Sequence, residues 1–249
     1  GIPYSYVASK NYIDVNVSGV HNLLELAKNS NIKRLIQTST SEVYGTAQFI
    51  PMTEKHPINP QSPYAATKAS ADHLCMSYYY SFDLPVTILR PFNTYGPRQS
   101  TRAVIPTIIN QISKKTPELK LGSINTTRDF NYVQDTVDAY IKSLKNNNKL
   151  DGQIINVGSN FEVSIKDIYK IVCKFYGRHP KIRIDKKRVR PSKSEVRRLY
   201  SCNKKAIKLL KWKPKFSGKK NFYKGIYKTC EWFEINKKNS SYKSIEYTI

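Results

Sequence analysis

From Asn11 to Asn29, apolar residues recur at helical spacing (Ile13, Val17, Val20, Leu23, Leu24, Ala27), and Lys33 to Thr38 then reads as a short buried strand. A polar, proline-containing stretch from Thr46 to Pro63 follows. Next come a long helix from about Tyr64 to Phe82 and a second apolar strand, Val86 to Arg90, which Pro91 halts. Helices alternating with strands that are apolar almost throughout predict an α/β fold, its parallel sheet covered on both faces. Beyond Gly96 the periods shorten. The pattern predicts helices near 103–113, 135–144, 164–176, 204–210 and 219–233, and strands near 119–121, 130–133, 153–157 and 181–184. A basic loop spans 185–198, no internal repeat is visible, and low complexity is confined to Asn146-Asn147-Asn148 and a lysine-rich tail.

The 249 residues include 42 Lys+Arg against 18 Asp+Glu, a net charge of +24, and 39% are hydrophobic. That balance excludes disordered and fibrous classes and leaves one large or two modest globular domains. The longest apolar runs, such as Ala103 to Ile109, fall far short of the roughly 18 residues of a membrane span. Nothing near Gly1 has the charged start, apolar stretch and cleavage site of a signal peptide. The expectation is a soluble cytoplasmic protein with no membrane partner. Cys75, Cys173, Cys202 and Cys230 lie too far apart for a metal knuckle and read as reduced thiols. His21, His56, His73 and His179 share no metal-like spacing, so no metal is expected. The charge is uneven: residues 1–180 carry a net +7 and residues 181–249 a net +17. No recognition-helix, zinc or ribonucleoprotein pattern accompanies the basic tail, which makes an anionic substrate the better reading and nucleic acid the lesser one.

In open α/β sheets, ligands sit at the carboxyl ends of the strands. The two strands above end in Thr38-Ser39-Thr40-Ser41-Glu42 and Arg90-Pro91-Phe92-Asn93, so chemistry is sought there. Tyr64 and Lys68 lie four apart on the long helix, hence on one face. A lysine cation near a phenol stabilises the phenolate and lowers a pKa that starts near ~10, which suits a base at neutral pH. The same spacing recurs at Tyr6/Lys10 and Tyr200/Lys204, so it is position that singles out Tyr64. It opens the helix that follows a strand ending in hydroxyls and a carboxylate.

Five segments in order, Thr38 to Gly45, Ser62 to Lys68, Arg90 to Arg98, Arg128 to Val133 and Asn156 to Gly158, resemble the extended short-chain dehydrogenase/reductases. The likeness is to their NAD-dependent nucleotide-sugar epimerases and dehydratases, and it covers nearly the whole chain. At finer grain, Glu42 to Gln48, Arg98 to Pro106 and Leu121 to Phe130 look most like the 4,6-dehydratases of nucleotide-activated N-acetylglucosamine, which open the legionaminic acid branch of bacterial surface-sugar synthesis. The resemblance implies a Rossmann-type NAD-binding domain from residues 1–95 and about 130–160, and a smaller α/β substrate-binding domain from about 96–129 and 161–249. It also implies NAD as cofactor, a nucleotide-diphosphate sugar as substrate, and, at full length, a homodimer packed through the helices at 10–29 and 64–82.

Residue by residue, the resemblance makes Tyr64 the base for the sugar C4 hydroxyl while hydride leaves C4 for NAD. Lys68 lowers the Tyr64 pKa and holds the nicotinamide ribose, Thr38 joins the cofactor site, and Thr40 hydrogen-bonds the C4 hydroxyl. Glu42 then removes the C5 proton, water leaves C6, and the hydride returns to C6. Asn93, Arg102, Arg128 and Arg190 fall where the family holds diphosphate and sugar, with Asn156 nearby, and arginine forks suit phosphate. Asp129 has at least as good a structural reading, as a tie for its turn. Glucose-type dehydratases place Asp before the Glu; this chain has Ser41, as GDP-mannose 4,6-dehydratases and UDP-glucuronate decarboxylases do. Ser41-Glu42 therefore leaves decarboxylation open beside dehydration, and leaves open whether Glu42 is both base and acid.

The family's Gly-x-x-Gly-x-x-Gly turn and the later acidic residue for the adenosine ribose do not occur in these 249 residues. Gly1 resembles the point just after the family's fourth strand, so roughly 80 residues, two to three βαβ units of about 30, are expected to precede it. On that expectation the sheet has an exposed edge, and the 249-residue chain alone binds NAD poorly and turns over nothing measurable. Two rivals stand beside the dehydratase: a UDP-glucuronate decarboxylase or other nucleotide-sugar epimerase or dehydratase, and an inactive fragment binding anions or nucleic acid through its basic tail. The choice of UDP or GDP, and of sugar, has no readable code in the loops.

Overall fold

The computed structural model describes residues 1–146 and 150–237; residues 147–149 and 238–249, with part of the asparagine patch and the end of the basic tail, lie outside the described residues. The chain opens with α1 (Ile2–Ser5), α2 (Ser9–Ile13), a π-helical turn at Asp14–Ser18 and α3 (Gly19–Lys28), so the helix predicted over 11–29 is one run interrupted by a wide turn. At that turn the Asn16 amide donates to Thr67 Oγ1 at 3.0 Å, tying the first helical run to the next. Then come β1 (Leu35–Thr38), a 3-10 turn at Ser41–Tyr44, and α4 (Pro63–Phe82). α4 starts where it should: Ser62 caps it by accepting from Ala65 N, and Pro63 occupies the first turn. The remaining elements are β2 (Val86–Pro91), β3 (Asn93–Tyr95), α5 (Val104–Ser113), β4 (Glu118–Leu121), β5 (Thr127–Tyr132), α6 (Val133–Lys145), β6 (Gln153–Val157), β7 (Glu162–Ser164), α7 (Ile165–Tyr176), β8 (Lys181–Ile184), α8 (Lys204–Leu210) and α9 (Gly218–Ile235).

β1, β2 and β6 form a parallel sheet in that order, with Leu35 opposite Val86 and Thr87 opposite Gln153. Side chains alternate across a strand, so β2 serves two cores. Val86 and Ile88 pack against Leu24 and Ala27 of α3 and Cys75 and Tyr78 of α4. Leu89 joins Ile155 and Val157 of β6, Ala139 of α6, and Ala206, Leu210 and Trp212 at α8. The sheet is thus covered on both faces, as its apolar strands require.

α8 falls within 161–249, the stretch expected in the substrate-binding domain, and it packs against the β1-β2-β6 sheet. Its Ala206 and Leu210, with Trp212, are buried against β6, and Trp212 Nε1 donates to the Asp135 carbonyl at 2.8 Å. The larger second core belongs to α5, α7 and α9, packed with the small sheets β3-β5-β7 and β4-β8. β3 and β7 have three residues each, too few for an alternating pattern to show in the sequence.

Asp129, on β5, joins the lobes. It is fully buried; Oδ1 accepts from Ser159 N and Oγ at 2.7 and 2.6 Å, and Oδ2 from Ser201 N and Oγ at 3.2 and 2.6 Å. Four donors satisfy the carboxylate, which is the structural role expected of it. Among the described residues, no helix is long and apolar enough to cross a membrane, and the four cysteines are buried and free. Asp129→Ala strands these donors and is expected to lower the unfolding free energy by about 3 kcal/mol in denaturant melts. Asp129→Asn should recover only part, because its NH2 meets donors; an unchanged midpoint for Asp129→Ala would contradict the role.

Candidate active site

β1 and β2 are neighbours and parallel, so their carboxyl ends open on the same edge of the sheet. A cavity of about 730 Å³ lies there, a size typical of small-ligand sites. Thr38, Thr40, Ser41, Glu42, Tyr64, Asn93, Arg102, Arg128 and Arg190 all line it. Segments scattered over the chain are brought to one cavity by the ends of β1 and β2, the start of α4 and the loops of the second lobe.

Thr40 is extended (φ −156°, ψ 152°) and caps the 3-10 turn, its Oγ1 accepting from Glu42 N at 3.2 Å. That turn buries Ser41 and Glu42. The Tyr64 phenol is hydrogen-bonded to Thr40, and its ring meets Tyr12 edge-on at 6.0 Å. Burial pushes Tyr64 above the ordinary phenol value, the Thr40 hydrogen bond opposes this, and the Glu42 charge adds to it. Lys68 is half-buried outside the cavity wall; burial lowers its own pKa, and Asp72, one turn further along α4, opposes that.

Behind the cavity runs a buried polar network that the sequence reading missed. Arg90 pairs with Asp72 (Nη2 to Oδ2 2.9 Å, Nε to Oδ2 3.0 Å), and Ser39 Oγ donates to the same oxygen at 2.7 Å. Arg90 Nη1 donates to the Tyr44 hydroxyl at 3.0 Å, and Tyr44 donates to Asn156 Oδ1 at 2.8 Å. Asp72 had a signal: it follows Lys68 by four residues, on the same helix face. Asn156 belongs to this network. It is wholly buried and not among the residues lining the cavity; its amide donates to the Met52 carbonyl at 3.1 Å and its backbone N–H to Glu54 Oε1 at 2.9 Å.

The other side of the cavity is cationic. Arg128 is buried, donating from Nη1 to the Thr127 carbonyl at 3.0 Å. Burial lowers its pKa, the Glu42 charge raises it, and Arg190 lowers it again. Arg190 Nη1 and Asn93 Oδ1 are buried without hydrogen-bond partners. Arg102 is exposed at the wall. Glu195 and Arg188 also line the cavity and were not singled out in sequence. Thr38, exposed at the end of β1, with Tyr64 and Lys68 sharing a face of α4, makes a donor set that suits a ribose and nicotinamide. Among the described residues no group of His, Cys, Asp and Glu is placed to hold a metal ion.

A parallel sheet with Thr40 and Glu42 beyond the end of β1, Tyr64 at the start of α4 and an arginine cluster beside them is the arrangement of an extended short-chain dehydrogenase/reductase. The family described as GDP-mannose 4,6 dehydratase matches residues 1–224, and the chain belongs to it, among the NAD-dependent epimerases and dehydratases. It is 32% identical over 250 residues to the human dTDP-D-glucose 4,6-dehydratase, covering 98% of this chain and 68% of that protein. The dTDP-glucose 4,6-dehydratase of Bacillus anthracis in complex with NAD superposes with a TM-score of 0.82 at 30% identity, over 91% of this chain and 70% of that one. The UDP-glucuronic acid 4-epimerase of Bacillus cereus, in complex with UDP-glucuronic acid and NAD, gives 0.82 at 29% identity, over 90% and 68%. The chain spans between 40% and 68% of the lengths of the first curated relatives it matches.

The electrostatics of the Tyr64 pocket are directly measurable. In ultraviolet tyrosinate titrations of the chain minus its Tyr64→Phe variant, Tyr64 is expected to ionise above the ordinary phenol value. Glu42→Gln removes the negative charge that opposes phenolate and moves this ionisation down. An ionisation that Glu42→Gln leaves in place would show that the two groups are not coupled.

Proposed function

We propose that the protein catalyses NAD-dependent 4,6-dehydration of a nucleotide-activated N-acetylhexosamine, UDP- or GDP-N-acetylglucosamine, to the 4-keto-6-deoxy sugar. The activity is that of the whole protein, of whose relatives this chain spans a part. One observation carries the reading: a buried Glu42 carboxylate shares the cavity with Tyr64 and acts electrostatically on both Tyr64 and Arg128. Oxidation at C4 needs one base, and elimination across C5 and C6 needs a second. Glu42 supplies that second base; a 4-epimerase has no use for it.

NAD, when bound, stores the hydride between the oxidation and the final reduction. Tyr64 accepts the C4 hydroxyl proton, with Thr40 fixing the phenol and the hydroxyl, and Lys68 holds the cofactor ribose. The 4-keto group acidifies C5. Glu42 takes the C5 proton and, because Ser41 offers no carboxylic acid, passes a proton to the C6 hydroxyl as it leaves as water; a solvent-derived proton at C5 then balances the hydride returned to C6. Arg128 and Arg190 present guanidinium forks to the diphosphate, and Asn93 Oδ1 meets a sugar or ribose hydroxyl. The segments whose likeness motivates the N-acetylated sugar contribute Ser100, Arg102 and Leu121 to Ser123 to the cavity wall, which supports that choice. Exposed Val15, Leu23 and Leu26 on the first helical run and Tyr80 and Phe82 on α4 support a homodimer through those helices.

The test uses the product of the complete reading frame with NAD and UDP- or GDP-N-acetylglucosamine. The expected product is lighter than substrate by one water, and Glu42→Gln lowers kcat by about 10²- to 10⁴-fold. Loss of carbon dioxide from a UDP-glucuronate substrate would favour the decarboxylase, and an isobaric product the epimerase; either overturns this reading.

A further inference from the structure

Glu195 sits among the cations of the cavity wall. Its Oε1 is 3.4 Å from Arg128 Nη2 and 3.9 Å from Arg190 Nη1, and its Oε2 accepts from Ser123 Oγ at 3.1 Å. The carboxylate is held by the serine and is only 16% exposed, yet it satisfies the arginines poorly. The Arg128 contact is long for a charge-assisted hydrogen bond, which is shortest near 2.7–2.9 Å, and Arg190 Nη1 has no hydrogen-bond partner at all. An ion pair of structural purpose closes down to short contacts, as Arg90 Nε and Nη2 do on Asp72 Oδ2 at 3.0 and 2.9 Å. Glu195 instead offers its charge while leaving donors unspent.

Its electrostatic use is plain. Arg128 and Arg190 repel each other, and Glu195 offsets that repulsion for a buried guanidinium already penalised by desolvation. We propose that Glu195 is the built-in counter-ion of this anion site, and that an incoming diphosphate replaces it as the acceptor for Arg128 and Arg190. The inference rests on reading these arginines as the diphosphate site. Two consequences follow from the charge balance. The cavity keeps its arginines charged and spread before ligand arrives, and an anion must outcompete a tethered carboxylate to enter, which favours a diphosphate over singly charged anions.

Calorimetric titration with inorganic pyrophosphate tests this without requiring turnover or NAD. Glu195→Gln keeps an acceptor for Ser123 and removes the charge, so it is expected to bind pyrophosphate about five- to ten-fold more tightly than the unmodified protein. Glu195→Ala should tighten it too, and Arg190→Gln should weaken it; thermal melts confirm that each variant is folded. Unchanged or weaker pyrophosphate binding by both Glu195 variants, with Arg190→Gln still weakening it, overturns the counter-ion and leaves the diphosphate site standing. Pyrophosphate binding that ignores Arg190→Gln, or no binding by any form, overturns both.

Discussion

The site depends first on the buried ion pair between Asp72 of α4 and Arg90 of β2. Neither charge has water to fall back on, so each needs the other, and removing one partner of such a pair costs about 3–5 kcal/mol. Because Ser39 donates to the same carboxylate and Arg90 donates on to Tyr44, the pair locks α4 to the ends of β1 and β2 at once. Tyr64 and Lys68 ride on α4, and Thr40 and Glu42 follow β1. The Asp72–Arg90 pair therefore sets the register in which the phenol and the carboxylate meet across the cavity, and Tyr44 extends the lock to Asn156 of β6.

On that frame the cavity is built from opposed charges that burial makes expensive. Glu42 makes the Tyr64 phenolate harder to form and the Arg128 cation easier to keep. Tyr64 thus keeps its proton to higher pH in the chain as it stands, and positive charge brought near it favours that proton's release. The arginine side is balanced in the opposite sense: its excess positive charge is tempered by Glu42 and Glu195. On the proposed function, a diphosphate entering such a cavity changes the balance on both sides and so couples substrate binding to the proposed proton transfers.

Much of this was legible in the sequence. The strands are apolar almost throughout and a 20-residue helix opens at Pro63-Tyr64, which made the parallel sheet legible and pointed to its strand ends, where Thr40, Glu42 and Tyr64 line one cavity. What escaped has a physical reason in each case. β3 and β7 are too short to show a period, and α8 looks like part of a basic tail until Ala206, Leu210 and Trp212 are seen against β6. Resemblance places Asn156 near the substrate, and its burial among Tyr44, Met52 and Glu54 comes from contacts distant in sequence. Spacing suggests that Lys68 lowers the Tyr64 pKa, whereas burial, which spacing does not reveal, raises it. Glu195, alone in a basic loop, acquires meaning only from the arginines that the fold brings to it.

The central claim is that Glu42 is the base at C5. Its most direct test is turnover of the complete protein in deuterated water, with the product examined by NMR. The account predicts one solvent deuterium at C5 in the unmodified enzyme and, for Glu42→Gln, a 4-keto sugar that forms without exchange at C5. Solvent deuterium appearing at C5 at an undiminished rate in Glu42→Gln would contradict it.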